Sequence, residues 1–89
     1  MWPGMVVEGW RKLARAKVGL TDYEGAATLY ELALRNLKKG DLDKTILMAT
    51  VLEGYAEALE GLKRHGEAKE KLEEANEIRL EVGLKDAKK

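Results

Sequence analysis

The feature that most restricts the fold of this chain is an internal repeat. When the 89-residue sequence is shifted by 42 residues, small and apolar side chains fall into register. The matched pairs are Trp10 with Leu52, Leu13 with Tyr55, Ala14 with Ala56, Ala16 with Ala58, Leu20 with Leu62, Tyr23 with His65, Ala26 with Ala68, Tyr30 with Leu72, and Ala33 with Ala75. Self-similarity at one offset is typical of stacked helical units, each unable to bury its apolar face alone. Such stacks usually present a surface to partners, so the repeat predicts binding or scaffolding.

Apolar residues at helical spacing predict an all-α fold of four helices, arranged as two stacked antiparallel hairpins. The predicted helices cover about 5–19, 22–39, 42–63 and 67–83. Pro occurs only at position 3, so no proline interrupts them.

The whole chain, 1–89, is short enough to form a single domain. We expect repeat one to cover about 7–40 and repeat two about 49–83. The remaining residues, 84–89, are predicted to form a frayed tail.

Helix ends are predicted from capping residues. Thr21 and Glu24 have the spacing of a capping box, which predicts the start of the second helix at Thr21. Gly40 is a suitable stop for that helix. Asp41 or Asp43 is expected to cap the third helix.

The predicted core combines small residues with larger flanking ones. Four alanines fall where the helices of each hairpin are expected to cross, and a methyl group there permits close approach. They are Ala14, Ala26, Ala56 and Ala68. Val6, Trp10 and Leu13 are predicted to form the buried stripe of the first helix.

These positions resemble a known family. Trp10-x2-Leu13-Ala14 with Ala26-x3-Tyr30-x2-Ala33 resembles one tetratricopeptide repeat, and Leu52-x2-Tyr55-Ala56-x2-Leu59 with Ala68-x3-Leu72-x2-Ala75 resembles a second. The period of 42 exceeds the usual 34 and is similar to the kinesin-light-chain type. The run Asp22-Tyr23-Glu24-Gly25-Ala26 is also similar to the three-helix microtubule-interacting-and-trafficking domain, the alternative adaptor. That alternative leaves the second matched unit unexplained.

The resemblance implies that the first helix of each hairpin lines a concave groove. The groove residues it implies are Glu8, Arg11, Arg15 and Val18 from one helix, and Thr50, Glu53, Glu57 and Glu60 from the other. A basic wall facing an acidic wall predicts binding of a peptide or helix of mixed charge. The competing interpretation is structural: Arg11 pairs with Glu53, and Arg15 pairs with Glu57.

Trp2 precedes the first helix and has two interpretations. It can fold back over that helix as a hydrophobic staple. It can also anchor a partner, because Trp is enriched among the residues that dominate binding energy.

Composition argues against several other classes of function. The 16 basic residues balance the 16 acidic ones, which disfavours nucleic acid as a partner. With no Cys and with His65 as the only histidine, we expect no metal site. No Ser or Cys nucleophile and no glycine-rich phosphate loop occur, so we expect no enzymatic activity and no cofactor. No apolar run is long enough for a membrane span and 1–7 is too short for a signal peptide, so we expect a cytoplasmic protein.

The third helix is expected to be too apolar for two hairpins to cover. Its uncovered side is predicted to contain Ile46, Met48, Val51 and Leu59. We therefore expect that the chain can self-associate through this side as a homodimer. A structural scaffold of that kind is the alternative to a peptide-binding module.

The origin of the sequence, natural or engineered, is left open by its composition. Abundant Glu and Lys with no Gln or Cys is a thermophile habit that an engineered sequence can share, so we expect a thermostable protein. Gly9, Gly25, Gly54 and Gly61 fall inside predicted helices, where each costs about 0.5–1 kcal/mol relative to Ala. Designers normally remove such residues, which slightly favours a natural sequence.

Overall fold

The computed structural model describes residues 3–87, and side chains over 6–84, so Trp2 lies outside the described residues. The described chain contains four helices and no strand. They are α1 (Pro3–Gly19), α2 (Tyr23–Lys39), α3 (Ile46–Gly61) and α4 (His65–Ala87). The predicted all-α fold with four helices is confirmed. Within this part of the chain, no helix is both long and apolar enough to cross a membrane.

Sequential helices pack on one another in the order α1, α2, α3, α4, and α1 also meets α3 over a short length. Three contacts show that α2 and α3 are antiparallel. Lys38, near the end of α2, lines a cavity with Met48, near the start of α3. Tyr30 lies against Gly54 in the middle of both helices. The ring of Tyr23, which starts α2, lies against Gly61, which ends α3. The chain is thus two helix hairpins stacked through α2 and α3.

The residues that start α2 and α3 differ from the prediction. The cap of α2 is Asp22, whose carboxylate accepts from the Gly25 N–H at 3.1 Å. Thr21 cannot take this role because its backbone is left-handed, with φ of 60°, and its hydroxyl donates to the Leu20 carbonyl. The cap of α3 is Thr45, not Asp41 or Asp43, and its hydroxyl accepts from the Met48 N–H.

Helices α1, α2 and α3 all end in the same Schellman motif, which the sequence did not indicate. After α1, the Asp22 N–H donates to the Lys17 carbonyl at 2.8 Å; after α3, the Arg64 N–H donates to the Leu59 carbonyl at 2.8 Å. The left-handed residues of these ends are Thr21, Asp41 and Lys63. Thr21 and Lys63 are 42 residues apart, so the sequence repeat recurs in the backbone of the two turns.

Replacing Thr21 by glycine is expected to stabilise the protein. A β-branched residue is strained in the left-handed region, whereas glycine adopts it without a Cβ clash. We expect Thr21→Gly to raise the free energy of unfolding by about 0.5–1.5 kcal/mol, measured by chemical denaturation. Thr28→Gly, in the interior of α2, is the control and should lower it by about 0.5 kcal/mol. A destabilised Thr21→Gly variant would contradict this explanation.

The outer helix limits also differ from the prediction. α1 begins at Pro3, where the missing N–H of proline costs nothing because first-turn N–H groups have no helical partner. α3 ends two residues early, at Gly61. α4 continues past Gly83 to Ala87, so most of the expected frayed tail is helical.

The core lies along the two hairpins and contains all four of the predicted crossing alanines, each no more than 1% exposed. On α1 the prediction is partly wrong. Val7 is fully buried, while Val6 and Leu13 are 40% and 51% exposed. Trp10 is partly buried and packs against the core.

The apolar side of α3 is covered within the chain, which corrects the expected exposed face. Met48, Val51 and Leu59 are no more than 1% exposed, and only Ile46 keeps a large exposed fraction. The reason is that α3 lies between α2 and α4 and packs on both. The described part of α3 therefore gives no apolar face for self-association.

Candidate binding groove between α1 and α3

A charged groove lies where α1 and α3 come together. Its central cleft has a volume of about 120 Å³ and is lined by Arg11, Arg15, Tyr30, Thr50, Glu53, Gly54 and Glu57. A second cleft of about 200 Å³, lined by Arg15, Val18, Gly19 and Glu57, contains two of the same residues. We call the two clefts together the α1–α3 groove. It contains six of the eight groove residues that the resemblance implies, among them Arg11, Arg15, Glu53 and Glu57, whereas Glu8 and Glu60 line neither cleft.

Helix periodicity explains how these side chains come to one groove. Arg11 and Arg15 are four residues apart and share one face of α1. Thr50, Glu53 and Glu57 are three and four residues apart and share one face of α3. The other faces of both helices carry the buried apolar residues, which turns the charged faces toward the groove.

The ion pairs of the groove differ from the structural interpretation of the sequence. Arg11 donates to Glu8 on its own helix, at 2.9 Å and 2.7 Å, and Glu53 accepts from Arg79 of α4, at 2.8 Å and 2.9 Å. Among the described side chains, none of the predicted Arg11–Glu53 or Arg15–Glu57 pairs forms.

Glu53 is therefore occupied by a residue that the sequence analysis missed. Arg79 lies 26 residues further along the chain, and no spacing rule links it to Glu53. The hydrogen bond from Arg79 lowers the pKa of the Glu53 carboxyl below its ordinary value, and burial opposes this effect. Glu53 thus stays ionised and paired.

Arg15 and Glu57 differ from the other two charges of the groove. Within the described part of the chain, neither has an oppositely charged group within 4.0 Å. Both are exposed, and they line the same two clefts. The groove therefore holds one positive and one negative group that are available to a ligand.

Tyr30 of α2 forms the floor of the groove. Only 1% of the residue is exposed, and its ring lies against the backbone of Gly54. Burial raises the pKa of the Tyr30 hydroxyl above its ordinary value, while Arg15 lowers it and Glu57 raises it. The hydroxyl makes no hydrogen bond to a described residue, yet it lines the cleft. No buried polar side-chain atom of the described residues lacks a partner, so the Tyr30 hydroxyl itself is open to the cleft.

The other singled-out polar residues contribute less. His65 begins α4, is exposed, and has its Nδ1 atom 2.5 Å from a Glu60 carboxylate oxygen. Both lie at the turn between α3 and α4, away from the residues that line the α1–α3 groove. Over the described residues, no group of three or more potential metal ligands occurs.

Comparison with protein-family models, curated proteins and solved structures finds no match to this chain. The class of this protein is defined by its fold and by the α1–α3 groove. It is an all-α stack of two helix hairpins with a charged groove between their first helices.

Proposed function

We propose that this chain is a non-enzymatic protein-interaction module, similar in design to tetratricopeptide repeats, that binds a peptide or helix in the α1–α3 groove. The observation that carries the proposal is the arrangement around Tyr30. Its side chain is almost wholly buried and lines the cleft together with Arg15 and Glu57, and none of the three is paired with a described side chain. The position of the groove also supports the resemblance, which implies a binding surface on the first helix of each hairpin.

The groove chemistry fits a peptide of mixed charge. Arg15 can donate two parallel hydrogen bonds to a carboxylate, the geometry for which guanidinium is well suited. Glu57 can accept from a Lys or Arg side chain of the same peptide. Between them, the Tyr30 hydroxyl can donate to a backbone carbonyl of the ligand. A site of this kind distinguishes peptides by the order of the charges along their sequence.

Pairing elsewhere limits how many charges are available for a ligand. Arg11 is bound to Glu8, and Glu53 is bound to Arg79, so both would have to exchange partners before they bind a peptide. Arg15 and Glu57 need no such exchange. The binding energy should therefore depend most on Arg15 and Glu57.

A double variant tests the proposal. Peptides are selected from a random phage-displayed library on the immobilised protein, then synthesised and titrated by calorimetry. Selected peptides should contain at least one acidic and one basic residue. Arg15→Ala with Glu57→Ala is expected to weaken their affinity by at least about tenfold, because two charge-assisted contacts are lost.

The matched control removes the same two charges from α4. Lys69 and Glu73 are exposed and do not line the groove, so Lys69→Ala with Glu73→Ala should leave the affinity unchanged within about twofold. The proposal fails if no peptide is enriched on the wild-type protein. It also fails if both double variants weaken binding equally.

A further inference from the structure

A second surface, on the opposite side of α1, is independent of the groove. Four residues of α1 and the residue that directly follows it recur at alternating spacings of three and four, are apolar or glycine, and are all exposed. They are Val6, Gly9, Leu13, Ala16 and Leu20. The 3-4-3-4 spacing is the a/d seam by which two helices pack along their length. We call these residues the α1 stripe.

The internal repeat explains why the α1 stripe is exposed. The residues 42 positions later are Met48, Val51, Tyr55 and Ala58 on α3, and Leu62 directly after it. The first four are buried and Leu62 packs against the core, because α3 lies between α2 before it and α4 after it. α1 packs on α2 and, over a short length, on α3, and no other described helix covers its opposite side. The α1 stripe is thus the face on which the fold itself places another helix.

A head-to-tail stack of copies would place α4 of one copy on the stripe of the next, and the α4 surface does not fit. Helix α2 packs on α3 with Ala27, Leu34 and Leu37 buried. The matching residues of α4 are Lys69, Asn76 and Arg79. All three are exposed polar residues, and Arg79 is held by Glu53. The apolar residues beside Asn76 and Arg79 are Leu80, Gly83 and Leu84. They match Lys38, Asp41 and Leu42, none of which is buried. The face of α4 equivalent to the one by which α2 packs on α3 is therefore polar.

The α1 stripe fits a second copy of itself. Its bulky residues lie at one seam position (Val6, Leu13, Leu20) and its small residues at the other (Gly9, Ala16). A two-fold axis beside residue 11 would place Leu13 of each copy against Gly9 of the other, and Val6 against Ala16. Val6 and Leu13 then each fill the space beside a small residue, whereas a parallel pair would stack Gly9 on Gly9 and leave gaps.

We propose that this chain self-associates through the α1 stripe as an antiparallel two-fold dimer. The contact is limited to one helix stripe of about 21 Å, the rise from Val6 to Leu20. A standard stable interface buries about 800 Å² on each partner, more than a stripe of this length can supply. The dimer is therefore weak and forms at high protein concentration.

The test is the solution mass measured by sedimentation equilibrium from about 10 μM to about 1 mM, a range that spans weak association. The wild-type protein should shift from monomer toward dimer across it. Leu13→Glu and Ala16→Glu each place a charge in the seam and should keep the protein monomeric throughout. Both residues are exposed, so the helical circular dichroism spectrum should be unchanged.

Leu80→Glu is the matched control, because Leu80 is 67% exposed on α4, where it lines a cavity of about 520 Å³. This variant should associate like the wild type. A wild-type protein that stays monomeric at every concentration would overturn the proposal. So would a dimer that Leu80→Glu abolishes and Leu13→Glu leaves intact.

A crosslink reports the antiparallel register directly. The chain has no cysteine, so a variant with Gly9→Cys and Leu13→Cys can form disulfides only between its two introduced thiols. Under air oxidation we expect a covalent dimer, since the two-fold axis places each Cys of one copy beside the other Cys of the second copy. A variant with Leu80→Cys and Leu84→Cys, which has the same spacing on α4, should remain largely monomeric. Equal crosslinking of both variants would contradict the register.

Discussion

Gly54→Ala is expected to lower the free energy of unfolding by about 1–3 kcal/mol, although alanine is the better helix former. A Cβ atom added at Gly54 would lie 2.5 Å from the Tyr30 ring, which is too close for any real contact. The ring cannot retreat easily, because Tyr30 is buried in the core. The added methyl group must therefore move α2 away from α3, and the packing lost exceeds the gain of about 1 kcal/mol in helix propensity.

The matched control is Gly9→Ala on α1. No described atom lies within 4 Å of a Cβ built at Gly9, and the residue is exposed. This substitution should raise the free energy of unfolding by about 0.5–1 kcal/mol. Urea denaturation followed by circular dichroism gives both values. Equal stabilisation by the two substitutions would show that Tyr30 does not pack on the backbone of α3.

The contacts of the glycines in α3 could not be predicted from the sequence. Gly54 and Gly61 fall inside apolar helical patterns, and from sequence each counts only as a loss of helix propensity. The structure gives each one an aromatic neighbour, Tyr30 and Tyr23 respectively. Such a contact joins residues of two helices in a particular register. Periodicity fixes which face of a helix is buried, and it does not fix that register.

In the α1–α3 groove, too, the helix faces could be predicted from the sequence and the contacts between helices could not. Arg11, Arg15, Glu53 and Glu57 could be assigned to two helix faces because their spacing within each helix is regular. Their ion-pair partners could not be assigned, since Glu53 pairs with Arg79 of a third helix.

The exposed fraction of a side chain depends on which helices lie beside it, as well as on the sequence pattern. Leu13 fits the buried stripe of α1 by spacing and matches Tyr55, which is 6% exposed. Leu13 is nevertheless 51% exposed, because no described helix packs on this side of α1. A repeat predicts which residues are equivalent. Their environments differ wherever the stack begins or ends.

Leu37→Ala is expected to have the largest effect on stability. Leu37 is fully buried at the C-terminal end of α2, and truncating a buried leucine costs about 2–5 kcal/mol. A domain of this size has a free energy of unfolding of only about 5–10 kcal/mol, so the variant loses a large share of it. Thermal unfolding should show a fall in midpoint of at least about 10 °C. Leu20→Ala, at a position 78% exposed, is the control and should change the free energy by less than about 0.5 kcal/mol.

The residue 42 positions after Leu37 allows the same substitution test on the equivalent face of α4. That residue is Arg79, and its side chain is 41% exposed in an ion pair with Glu53. Arg79→Leu removes an exposed pair worth about 0–1 kcal/mol, so it should change stability by less than about 1 kcal/mol. The same measurement on the two positions compares a buried residue of α2 with its exposed equivalent on α4. A large loss for Arg79→Leu with a small loss for Leu37→Ala would mean that α4, and not α2, is covered on this face.

The Arg79→Leu variant should also change what the groove binds. Because Arg79 holds Glu53, Arg79→Leu leaves that carboxylate unpaired beside Arg15 and Glu57 in the groove. The pKa of Glu53 should then rise toward its ordinary value, which nuclear magnetic resonance titration can follow. An unpaired second acid should favour basic peptides over those of mixed charge. Arg79 would thus also set the charge that the groove presents.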